Sequence, residues 1–149
     1  MIIFRKKLSE VFMNNNIPSS LSNISLWLVR ATLGISFFFH GYGKLPLPPE
    51  KFASWMESIG MIYPEIVASL VSIGEMGAGI GIILGGFLLG NFGNIITRIS
   101  ALGIFIIMIG AFYLAHSDWL INEQLFKSEQ IYIFILSIFF MINGNRKYI

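Results

Sequence analysis

Six side chains could do chemistry in an otherwise apolar chain: Arg30, His40, Lys44, Glu75, Tyr113 and His116. An isolated charge inside an apolar run is costly, so Arg30 and Glu75 must each find a partner or a wet cavity. Arg30, Gly34, Phe37, Gly41 and Lys44 are spaced to share one helical face. Ala68, Ser72, Glu75, Gly79 and Gly86 fall on one face of a second helix. Small residues let two helices approach closely, which makes Gly34, Gly41, Gly79 and Gly86 packing positions. The simplest arrangement sets Arg30 against Glu75 as an intramembrane ion pair. His40, Lys44, Tyr113 and His116 then form a rim of imidazole, ammonium and phenol groups around a candidate ligand pocket.

The elements that position these residues follow from composition. The 149 residues are 55% hydrophobic and 12% charged, about half the charge of a soluble domain. Long apolar runs recur, and backbone groups in lipid must be satisfied internally, so the runs are expected to be helices. The expected fold is all-α: an integral membrane four-helix bundle with short interfacial helices. Residues 1–23 form a polar, interfacial segment, 24–143 the membrane domain and 144–149 a tail. Phe4, Leu8 and Val11 share a face in the first segment, beside the headgroup-seeking Arg5, Lys6 and Lys7. That segment lacks the continuous apolar core and cleavage site of a signal peptide.

The spans are expected at Leu21–Tyr42, Tyr63–Leu89, Ile95–Ala115 and Gln130–Ile142, the last being short for a crossing. Ser20 or Ser22 is the expected cap of the first, and the sequence GNFGN reads as the turn before the third. Between the first two, Glu50–Ile59 has helical spacing but is too short and polar to cross. Trp55 and Trp119 fit an aromatic belt at the interface. Lys and Arg favour the side of both termini, which places these in the cytoplasm, with His40 and His116 on the outer side. If the second span starts level with Lys44, Arg30 lies about 21 Å and Glu75 about 18 Å below that level, matched in depth.

Several chemistries are excluded. There are no cysteines, hence no disulfide, thiolate or iron–sulfur site. Basic residues are scattered rather than interleaved with aromatics, which argues against nucleic acid. Phosphate loops and HExxH are absent, and two histidines near loop ends argue against haem, while with Asp118 or Glu65 they give only a weak signal for a metal site.

The pattern R-x3-G-x2-F-x2-HG-x2-KL from Arg30 to Leu45, with Phe52 and Gly60, then E-x3-G-x5-GG from Glu75 to Gly86, resembles the DoxX-like membrane proteins. His116 and the tail Gly144 to Arg146 are similar to that family's closing features, so the resemblance covers Leu26 to Arg146. The tail departs from the family's usual one, in which a Ser and an Asp follow the Gly; here Lys147, Tyr148 and Ile149 follow. The resemblance implies a four-helix bundle in a bacterial-type inner membrane. Some members are subunits of quinone-linked oxidoreductases or partners in oxidative-stress complexes. It therefore implies a small or accessory subunit with a quinone as candidate ligand near Arg30, Glu75, His40 and His116, electrons coming from a redox partner subunit. A non-catalytic assembly protein and, less favoured, a small-solute transporter are the alternatives, and homo-oligomerisation is compatible with each.

Overall fold

The computed structural model describes residues 19–119 and 122–145. The interfacial helix expected near Phe4, Leu8 and Val11 lies outside them. Four apolar helices pack together: α1 (Ser19–Tyr42), α3 (Pro64–Phe87), α4 (Gly90–Leu114) and α6 (Glu129–Asn143). Two short helices, α2 (Glu50–Ser58) and α5 (Gln124–Lys127), occupy the connections. The fold is an all-α membrane protein, and α1, α3 and α4 each contain a stretch long and apolar enough to cross a bilayer. Helix α6 has 15 residues and is the short fourth member.

Most boundaries follow from local chemistry. The proline-rich Leu45–Pro49 cannot continue α1, Gly60 closes α2 in a left-handed conformation (φ 79°), and Pro64 starts α3 at its first turn. Two boundaries differ from expectation. GNFGN is no turn but the opening of α4, and only Leu88 and Leu89 link it to α3. There the glycine composition serves packing, for a Cβ on Gly93 would lie 2.7 Å from Gly85 O. Ser20 and Ser22 lie inside α1 rather than capping it.

The core runs between the four helices through Leu33, Phe37, Ile82, Ile104, Ile133 and Phe140. A smaller cluster of Ala53, Met56 and Ala68 fastens α2 onto the first turns of α3. Outward faces carry exposed Leu, Ile and Phe such as Leu28, Ile80 and Ile99, as expected for helices solvated by lipid.

Helices α1 and α3 meet backbone to backbone. A Cβ on Gly34 would fall 2.8 Å from Gly79 O, and one on Gly79 would fall 2.5 Å from Gly34 O. Gly41 meets Ser72 O and Met76, while Gly86 leaves room for the side chain of Arg30. All four packing glycines thus lie at the contact. Gly77, on the same helix, faces open space. Gly79→Ala is expected to push the helices apart and destabilise the protein by about 1–3 kcal/mol. Gly77→Ala should stabilise it by about 0.5–1 kcal/mol through helix propensity. Thermal unfolding in detergent measures both.

Candidate functional site

The glycine contact fixes which charges meet. Glu75 pairs with Lys44, not with Arg30. Lys44 stands level with a point 11 residues inside α3, because α2 returns the chain along the first turns of that helix and lets it rise about 16 Å beyond the end of α1. The matched depth expected for Arg30 and Glu75 requires α3 to begin level with Lys44, and it begins well beyond it. Arg30 instead sits level with the last turn of α3, where its Cδ approaches Gly86.

Glu75 is 6% exposed, and its carboxylate accepts from the Lys44 ammonium. A second ammonium hydrogen goes to the His40 carbonyl at 3.1 Å, one turn back on α1. The third N–H of Lys44 and the Oε1 of Glu75 remain without hydrogen bonds among the described residues. Phe52 of α2 stacks on Trp55 and lies 5.1 Å from the Lys44 nitrogen, a cation–π contact. His40 Nε2 reaches Glu129 Oε1 of α6 at 3.3 Å.

All of these except Glu129 border a cavity of about 370 Å³ between α1, α2, α3 and α4, with Gln130 of α6 at its edge. Its walls are mainly apolar, built from Phe37, Phe52, Trp55, Val71, Ile107 and Leu114 among others. Its polar lining comes from His40, Lys44, Glu75, His116 and Gln130. His116 stacks on Trp119, with ring centroids 3.7 Å apart. The volume falls in the range of small-molecule sites, about 300–1,000 Å³. Gly110 forms part of the α4 wall, and a Cβ there would meet nothing within 4 Å.

Of the six residues singled out from sequence, the structure gathers four at one cavity: His40, Lys44, Glu75 and His116. Tyr113 is absent from the lining and 77% exposed on α4. Arg30 belongs to a second cluster at the opposite end of the bundle. It is 2% exposed and donates to Ile82 O, to Thr97 Oγ1 at 3.0 Å and to Asn145 Oδ1 at 2.7 Å, with the Phe140 ring 4.6 Å away. Asn145 also accepts from Thr97 and donates to Gly85 O and Asn94 Oδ1. Sequence reasoning gave no role to Thr97, Asn145 or Glu129. The Gly-Asn sequence after an apolar run was the one visible signal for Asn145. Gly144, with φ 58° and Arg98 Nε 2.9 Å from its would-be Cβ, is the residue that turns Asn145 inward. No group of acids and histidines suited to a metal occurs among the described residues.

This geometry predicts two thermodynamic cycles. Lys44→Met strands the Glu75 carboxylate and should cost about 3 kcal/mol, while Lys44→Met combined with Glu75→Leu should recover much of that loss. Arg30→Gln and Glu75→Gln, in separate clusters, should add to within about 0.5 kcal/mol. Unfolding free energies in detergent micelles test both.

Comparison with known proteins adds one finding. No curated protein and no solved structure matches the chain. The family model described as DoxX matches residues 25–117, the stretch that supplies most of α1, all of α2 to α4 and every α1, α3 and α4 residue of the cavity. The chain belongs to the DoxX family.

Proposed function

We propose that the cavity binds a lipid-soluble small molecule with a hydrogen-bonding ring, a quinone, and that the protein is a small or accessory membrane subunit of a quinone-linked oxidoreductase. The observation that carries this reading is the pairing of apolar walls with the Lys44–Glu75 pair, which keeps one donor and one acceptor unspent among the described residues. The Lys44 ammonium would donate to a quinone carbonyl and Glu75 Oε1 would accept from a quinol hydroxyl. His40, joined to the exposed Glu129, would pass protons between the cavity and the membrane surface. His116, on Trp119, would close the rim. The chain has no cysteine for electron relay, so electrons would come from a partner subunit.

Charge distribution supports an orientation with the cavity on the outer side. Lys44, Lys51 and Lys127 fall on the cavity side, whereas Arg5, Lys6, Lys7, Arg98, Arg146 and Lys147 fall, by their place in the sequence, on the side of both termini. By the positive-inside rule the latter side faces the cytoplasm.

Extraction of the detergent-purified protein with organic solvent, followed by chromatography with redox difference spectra, tests the reading. Wild type should carry close to one quinone per chain. Gly110→Phe, which fills the cavity from its open wall, and Lys44→Gln should each lose most of it. Wild-type protein free of quinone would overturn the proposal, and retention of a second protein in its place would support the assembly reading instead.

A further inference from the structure

The end of the bundle opposite the cavity carries charge that nothing described there balances. Arg30 and Arg98 belong to one hydrogen-bonded array. Arg98 Nε donates to Asn94 Oδ1 at 3.4 Å, the same oxygen accepts from the Asn145 backbone at 3.0 Å, and the Asn145 side chain accepts from Arg30 at 2.7 Å. Arg98 also gives Nη1 to the Met141 carbonyl at 3.0 Å. Every acceptor in the array is neutral, either an amide, a hydroxyl or a carbonyl. No ion pair at this end occurs among the described residues, whose ion pairs are His40–Glu129, Lys44–Glu75 and Lys127–Glu123.

Helix ends compensate only part of this. The Met141 carbonyl belongs to the last turn of α6 and the Ile82 carbonyl lies one turn before the last of α3; each C-terminus supplies about half a negative charge, while the start of α4 adds about half a positive one. Among the described residues, between one and two positive charges are left over. Arg98 is half-buried in the groove between α4 and α6, and its Nη2 makes no hydrogen bond among the described residues. Around it stand Ile95, Ile99, Leu102 and Ile142, all exposed. A guanidinium edge presented among exposed apolar side chains meets acyl chains and headgroups rather than open water.

We infer that Arg98 marks a binding site for one anionic phospholipid, whose phosphate takes the free edge of the guanidinium while its chains lie along α4 and α6. Arg30 does not touch the lipid; it contributes field through the amides of Asn145 and Asn94. The site is separate from the cavity and independent of any quinone.

Native mass spectrometry of the full chain released from micelles holding equal phosphatidylglycerol and phosphatidylcholine tests this, with inorganic phosphate as the free-anion arm. Wild type should retain one phosphatidylglycerol with about tenfold preference, as expected for one to two cations at a lipid surface. Arg98→Gln should fall to parity, and Arg98→Lys should keep part of the preference. Equal retention of both lipids by wild type would overturn the proposal, needing no variant to fold. So would an undiminished preference in folded Arg98→Gln, or displacement of the lipid by millimolar phosphate.

Discussion

The close approach of α1 and α3 is the constraint on which the rest depends. Gly34 and Gly79 place each helix's backbone against the other, and a single methyl at either would have to displace it. In a bilayer such contacts replace the hydrophobic drive available in water. They also fix the sliding register of the two helices. That register sets Lys44 beside Glu75 at one end of the overlap and Arg30 beside Gly86 at the other.

The two ends then solve the problem of charge at membrane depth differently. At the cavity, cation and anion cancel, and their remaining hydrogen-bonding capacity is turned inward on an apolar space. At the Arg30 end the guanidinium is solvated by a cradle of carbonyl, hydroxyl and amide groups, with Phe140 and Trp27 on its faces. This satisfies directional bonding while leaving the net charge in place. Planar, multi-donor Arg suits such a cradle better than Lys, whose compact ammonium pairs more naturally with a single carboxylate.

The helices, their faces and the packing role of the four glycines were legible in the sequence because they depend on neighbours a few residues apart. The partner of Glu75 was not. It depends on the offset between α1 and α3, and that offset comes from how α2 folds back on α3 through Ala53, Met56 and Ala68. Periodicity within a helix carries no information on its sliding against another. GNFGN misled for a related reason: glycines that admit the neighbouring backbone look, in sequence, like glycines that turn the chain. For Asn145 the local Gly-Asn sequence signals a bend but not its partner, Arg30, 115 positions earlier.

That separation bears on biogenesis. A chain made from its N-terminus commits Arg30 to the bilayer with the first helix, before Thr97 and long before Asn145 emerges. Until then the guanidinium must be solvated by headgroups or water at the interface, as long cationic side chains are when they snorkel. Its withdrawal into the bundle awaits the last helix and the Gly144 bend behind it. The order of synthesis therefore makes Asn145 a latch, and a nascent chain that stops before α6 holds three long helices with a charge still reaching for the surface.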